Sequence, residues 1–141
     1  MIGFAGVHAY QKHLYELIRL IPSDRRVFLH LWTDGRDSGI EESRTYMGEI
    51  LAFLQDFPNV SIASIGGRYF AMDRDNNWTR TERAYRAMCG ENPTTLSPEA
   101  YMQKMYDTGT YDEFIEPAFF VGQEPIRDGN AVLVFNFRPD R

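Results

Sequence analysis

Lysine is almost missing from this sequence: Lys12 and Lys104 stand against thirteen arginines. Basic charge is also in deficit, and the formal net charge is -5. A field of that sign argues against general nucleic-acid or membrane-surface binding, since both reward a basic surface. Cysteine occurs once, as Cys89, which excludes an internal disulfide and fits a reducing cytoplasm. Cys89 falls near the end of an expected helix, where a buried structural thiol is the ordinary reading. No apolar run approaches the roughly 18 residues of a membrane span. The opening MIGFAGVHAY lacks the basic start and long apolar stretch of a secretion signal. No histidine or cysteine spacing matches a zinc site. The run DRDNN from Asp73 resembles a calcium loop only briefly. Its sixth and twelfth positions are Trp78 and Ala84, where glycine and glutamate are required. Glycine-rich phosphate loops and a serine–histidine–acid order are absent as well.

What remains is a chain with material for a core. Of its 141 residues, 43% are hydrophobic and 14% aromatic, which suits one domain spanning residues 1–141. Both ends read as cut from something longer. IGFAG at 2–6 reads as a short strand. Tyr10, Leu14, Leu17, Ile18 and Ile21 recur at helical spacing, and Pro22-Ser23 ends that helix. VFLHLWT, 27–33, reads as a strand buried on both faces. Ser38 with Glu41 matches a capping box before a helix carrying Met47, Ile50, Leu51, Leu54 and Phe57. VSIASIG, 60–66, is a third strand. Thr79 with Glu82 marks a second box, and its helix stops at Gly90. Ser97-Pro98 reads as a cap and first-turn proline for a helix 98–108 that ends at Gly109. YDEFIEPAFF reads as a short helix or irregular piece ending at Pro117. A turn at Asp128-Gly129-Asn130 leads to a final buried strand, 131–137. Alternating strands and helices predict an α/β fold: three layers, with a mainly parallel sheet flanked by helices.

The polar chemistry follows the strands. His8 comes after the first; Asp34, Arg36 and Asp37 after the second; Arg68, Asp73, Arg74 and Asp75 after the third; Arg138, Asp140 and Arg141 after the last. Ligands of open parallel sheets bind outside the carboxyl ends of the strands. Five arginines converging there suit a small phosphorylated acid, held by several charge-assisted hydrogen bonds of roughly 1.5–3 kcal/mol each. The neighbouring aspartates would keep the arginines apart while the site is empty. Single residues also have plainer readings. His8 alone serves as a structural hydrogen-bonder, Asp34 before Gly35 as turn chemistry, and Asp73 and Asp75 as solvated charges or partners of their own arginines.

GVH, DGRD, GRYFAMDRD, YDEF and FNFRPDR occur here in an order and at spacings that resemble the cofactor-independent (2,3-bisphosphoglycerate-independent) phosphoglycerate mutases. The similarity runs from about Gly6 to Arg141. It implies the substrate-binding, or phosphotransferase, domain of an isomerase that interconverts 3-phosphoglycerate and 2-phosphoglycerate in glycolysis and gluconeogenesis. The family's other, phosphatase-like domain carries two divalent ions, usually manganese, and the serine that takes the phosphoryl group. No metal site is expected in this chain. By matching positions, His8, Arg36, Asp37, Arg68, Arg74, Arg138 and Arg141 correspond to substrate contacts. Arg68 and Arg74 would meet the carboxylate; Arg138, Arg141 and His8 the phosphoryl group; Arg36 and Asp37 the glycerate hydroxyls. Asp37 is the candidate catalytic base. At the first motif the family reads Ser-Asp-Gly-Gly-Val-His-Ser-His. Here GFAGVHAY keeps Gly6, Val7 and His8, with Phe4 in place of an acid and Tyr10 in place of a histidine. The resemblance implies a partner in the phosphatase-like domain and a chain inactive alone. A stand-alone binding module for a small phosphorylated acid is the alternative, and purely structural arginines a third reading.

Overall fold

In the computed structural model, residues 1–140 are described. The elements run α1 (Gln11–Leu20), β1 (Val27–Thr33), α2 (Ser43–Leu54), β2 (Val60–Gly67), α3 (Arg68–Ala71), α4 (Trp78–Met88), β3 (Pro93–Thr94), α5 (Pro98–Asp107) and β4 (Ala118–Phe120). A 3-10 turn, Asp112–Phe114, precedes β4. The described residues form a four-stranded sheet in the order β1-β2-β4-β3. β1 pairs with β2 in parallel, from Val27 opposite Val60 to Thr33 opposite Gly67. β3 and β4 are also parallel, while β4 runs antiparallel to β2 through Ser64–Phe119 and Ile65–Ala118. The fold is thus α/β with a mixed sheet.

The core gathers where the elements are most apolar. Leu14 and Ile18 of α1, Met47 and Ile50 of α2, Leu29 and Leu31 of β1, and Ile62 and Ile65 of β2 form one cluster with Met102, Ile115 and Phe120. β2 lies between two neighbours and is buried along nearly its whole length. β1 departs from the expectation of burial on both faces. It is an edge strand of the described sheet, so Leu29, Leu31 and Thr33 are buried while Phe28, His30 and Trp32 are half-buried. The ladder shifts register at Leu29/His30. There His30 Nδ1 meets Ser64 Oγ at 2.8 Å, and burial lowers the pKa of His30 below its ordinary value.

Several local expectations yield to longer-range contacts. Neither capping box forms: α2 starts at Ser43 and α4 at Trp78, without a side-chain cap at Glu42 or Asn77. The acceptor for the first amide of α2 comes instead from Asp112, 69 residues away, whose Oδ2 takes the Ser43 N–H at 2.9 Å. Ser97 does cap α5, its hydroxyl oxygen accepting from Ala100 N at 3.2 Å. Residues 2–6 form no strand, although Ile2 N donates to Trp32 O at 2.8 Å. β3 and β4 are too short for periodicity to reveal.

The largest correction concerns 131–137. The apolar run there predicts a buried strand, yet it is extended chain without a ladder. Val132, Leu133, Val134 and Phe137 are all more than half exposed. Pattern alone cannot supply the neighbouring strand a β-run needs. Only one backbone bond, Phe137 N to His8 O at 3.0 Å, ties this stretch to the start of the chain.

Burial predicts how substitutions divide. Ile50→Ala, at a fully buried position, should cost about 2–5 kcal/mol in urea unfolding. Leu133→Ala should cost no more than about 0.5 kcal/mol. A penalty at Leu133 equal to that at Ile50 would mean that Leu133, like Phe135, packs against the core.

Candidate functional site at the carboxyl ends of β1 and β2

Parallel pairing puts Thr33 and Gly67 side by side, so the loops leaving β1 and β2 start from one edge. The β1 loop opens with Asp34. Its Oδ1 accepts from Arg36 N and Asp37 N, each at 3.2 Å, which makes the tight turn. The same oxygen accepts from Arg68 Nη1 at 2.5 Å. Turn chemistry and ion pairing therefore coexist on one buried carboxylate.

Arg68 is the hub. It begins α3 directly after β2, and only 6% of it is exposed. Its Nη1 also donates to Asp37 Oδ2 at 2.6 Å. Its Nη2 lies 3.0 Å from Nε2 of buried His8. The same His8 nitrogen lies 3.5 Å from Asp37 Oδ2, so Arg68, Asp37 and His8 meet at one point. Burial works to lower the pKa of Arg68, but the bonds from Asp37 and Asp34 outweigh it and the guanidinium stays charged. Three of its five N–H groups are thereby committed and two remain.

Asp37 faces outward from this hub. Its carboxyl is held below the ordinary carboxylate range first by the Arg68 hydrogen bond, against an opposing effect of burial; the nearby charge of Arg138 adds to the lowering. Arg138 is placed by the bond from Phe137 to His8. Its Nε pairs with Asp140 Oδ1 at 2.6 Å. Arg36 and Arg74 line a small cavity of about 20 Å³ together with Arg68, Tyr69, Asp73, Arg80 and Glu113. Arg36, Arg68 and Arg74 thus share one cavity, His8 and Asp37 are joined to it through Arg68, and the charge of Arg138 acts on Asp37. Arg141 lies outside the described residues.

Three residues around this crevice had no assigned role in the sequence reading. Glu113 Oε1 accepts from Arg36 Nε at 2.6 Å. Arg80 sits over the Tyr69 ring at 3.9 Å and donates to the nearly buried Asp73 at 3.1 Å. Asp112, wholly buried, takes the Tyr106 hydroxyl as well as the Ser43 amide. Burial raises the Asp112 pKa, while these bonds oppose the rise. YDEF carried no spacing that announced its partners Arg36 and Ser43, because those two contacts span 77 and 69 residues.

A larger cavity, about 410 Å³, lies elsewhere and is lined by Arg83, Thr94, Tyr101, Lys104 and Glu116 among others. Arg83 and Glu116 already neutralise each other there. The size of that cavity does not make it the chemical centre, because the convergent arginines and strand ends are at the other site. Among the described residues, no group of three or more His, Cys, Asp or Glu side chains can hold a metal ion. Nor is any helix long and apolar enough to cross a membrane.

The depressed Asp37 pKa gives a signed prediction. The group adds stability above its unfolded value near 3.8, and that contribution is lost as pH falls through the folded value. Between about pH 5 and pH 3, wild-type stability should therefore fall more steeply than that of Asp37→Asn. Urea midpoints across this range measure it, and parallel slopes for the two proteins would contradict the assignment.

The family described as BPG-independent PGAM N-terminus matches residues 1–141. The 2,3-bisphosphoglycerate-independent phosphoglycerate mutase of Helicobacter hepaticus is 42% identical over 143 residues, covering all of this chain and 29% of that protein. The enzymes of the same name from Mycoplasma pneumoniae and Haloquadratum walsbyi are 40% and 42% identical over 146 residues, with the same coverage. The chain therefore spans under a third of the length of these relatives. A crystal structure of Leishmania mexicana phosphoglycerate mutase at low cobalt concentration superposes with a TM-score of 0.87 at 31% identity. It covers 96% of this chain and 28% of that one.

Proposed function

The chain belongs to the BPG-independent PGAM N-terminus family, and from that premise we propose that it is the substrate-holding part of a phosphoglycerate mutase. Its role is to bind 3-phosphoglycerate, keep the glycerate while the phosphoryl group is away, and release 2-phosphoglycerate. The observation that carries this reading is Arg68, buried at the ends of β1 and β2 and joined to Asp34, Asp37 and His8.

The ligand and the site complement each other in charge. A phosphorylated acid brings close to three negative charges, and the crevice brings Arg36, Arg68, Arg74 and Arg138. Two N–H groups of Arg68 remain for the glycerate carboxylate, with Arg74 beside it on the same cavity wall. His8, Arg138 and Arg141 are assigned to the phosphoryl group, and Arg36 with Asp37 to the hydroxyls. The cavity is smaller than such a ligand, so its outer wall must give way. Arg36 and Arg74 form that wall, and both are substantially exposed.

Asp37 is proposed to take the hydroxyl proton when the glycerate is rephosphorylated. In the empty site the Arg68 bond makes it a weak base. A carboxylate drawn onto Arg68 competes for that charge and raises the basicity of Asp37 when the substrate is present. The divalent ions of the full enzyme would supply phosphoryl-transfer chemistry, and no cluster among the described residues fits a metal site. Those ions and the phosphatase-like domain are assigned to the remainder of the longer enzyme.

An amide NMR titration with 3-phosphoglycerate tests the reading, with inorganic phosphate and glycerate as controls. Saturable shifts around 8, 36–37, 68–74 and 138–141 are expected, in the millimolar range and only with the phosphorylated acid. Arg68→Lys should weaken binding at least about tenfold, because a single ammonium cannot keep the fork to Asp34 and Asp37. Metal-loaded chain should show no mutase activity. Equal shifts with all three ligands, or turnover by the chain alone, would overturn the proposal.

A further inference from the structure

The 3-10 turn Asp112–Phe114 is wedged between the two loops of the site. Glycines allow its approach: a Cβ on Gly67 would sit 2.2 Å from Glu113 O, and one on Gly35 would sit 2.6 Å from Glu113 N. Gly35 also has φ +73°, a conformation that other residues rarely adopt. The turn is fastened on several sides. Thr33 Oγ1 donates to Asp112 O at 2.6 Å, Gly67 N to Ile115 O at 2.7 Å, and Asp112 N to Ile40 O at 2.9 Å. The Asp112 carboxylate is tied to Ser43 N and the Tyr106 hydroxyl. This leaves Glu113 on a platform tied to both strand ends.

From this platform the Glu113 carboxylate, only 14% exposed, grips Arg36, whose side chain is 51% exposed. The bond is made through Nε. An arginine held at Nε keeps all four Nη protons available, and they point along the outer edge of the guanidinium. A free Arg36 would instead sample many rotamers, and ordering it would weaken ligand binding.

We propose that Glu113 is a positioning residue for the substrate: it orders Arg36 before the ligand arrives and aims the Nη edge into the crevice. It does not touch the substrate and transfers no proton. The inference rests on the reading of the crevice as a phosphoglycerate site, but the ordering of Arg36 is testable without any ligand.

The test uses the same chain and compares wild type with Glu113→Ala and Glu113→Gln. In the absence of ligand, the Arg36 Nε–H resonance in a ¹⁵N correlation spectrum should be resolved and protected from exchange in wild type. It should be retained in Glu113→Gln, whose amide oxygen still accepts. It should fall to the rapid exchange of a free arginine in Glu113→Ala. Titration with 3-phosphoglycerate should then give a Kd raised about fivefold to tenfold in Glu113→Ala and mostly restored in Glu113→Gln. Backbone amide shifts beyond the turn and loop must stay unchanged, which separates positioning from collapse. An Arg36 signal indifferent to Glu113→Ala overturns the inference. A tighter Kd in Glu113→Ala overturns it too, since Glu113 would then be a competitor for the ligand's place. Wild type that orders Arg36 but binds no 3-phosphoglycerate sinks the site reading and the substrate role of Glu113, while leaving its hold on Arg36 intact.

Discussion

A guanidinium buried at the end of a central strand must be neutralised where it lies, and Arg68 imposes that demand on its surroundings. Two carboxylates meet it on one nitrogen and the His8 imidazole on the other. The β1 loop has to turn sharply enough to bring Asp34 and Asp37 to the same Nη1. Asp34 produces that turn with the oxygen that binds Arg68. Removing the cation would leave two carboxylates facing each other, one of them buried, a loss of about 3–5 kcal/mol for a pair broken on one side. The arrangement is therefore hard to alter piecemeal, and it keeps a positive group rigid at a place where a flexible one would be useless for recognition.

The second constraint is the close approach of a short turn. Gly67 has an ordinary φ and is needed for room, whereas Gly35 is needed for both room and conformation. Because Glu113 is carried on this turn, the geometry of Arg36 depends on packing far from either residue's neighbours in sequence. Asp112 links the same turn to the start of α2, so a buried carboxylate holds the site and a core helix in one frame. Burial pushes its pKa up, and the hydrogen bonds it accepts from Tyr106 and Ser43 oppose that rise.

What was legible in the sequence follows the range of the interactions. Helical periodicity placed α1, and Ser97-Pro98 placed α5, because those signals are local. The β1 and β2 segments were plain from their apolar composition, and the order of the loops after them pointed to the crevice. The cap expected for α2 does not form because a distant carboxylate, Asp112, serves its first turn, and at the start of α4 Asp73, four residues before Asn77, takes the Asn77 amide. The run 131–137 has the composition of a strand and lacks a neighbour to make it one. Glu113 had no local signature at all. The resemblance named its motif, but only the tertiary approach of the turn gives the carboxylate something to hold.

The chain is acidic overall, yet the residues assigned to the ligand are mostly arginines, and the two facts belong together. Asp34, Asp37, Asp73 and Glu113 each contact one of the arginines in or beside the crevice. Without them the cations would repel one another and their loops would splay. With them each guanidinium is spaced and aimed, but part of its charge is already spoken for. A ligand is then left only the N–H groups that the protein's own carboxylates do not use, which favours one able to engage several arginines at once. Inorganic phosphate has one anionic head, and glycerate one carboxylate. A phosphorylated acid has both, a few ångströms apart, and it can engage two sets of arginines in a single binding event. Discrimination on this account comes from the acidic residues as much as from the basic ones.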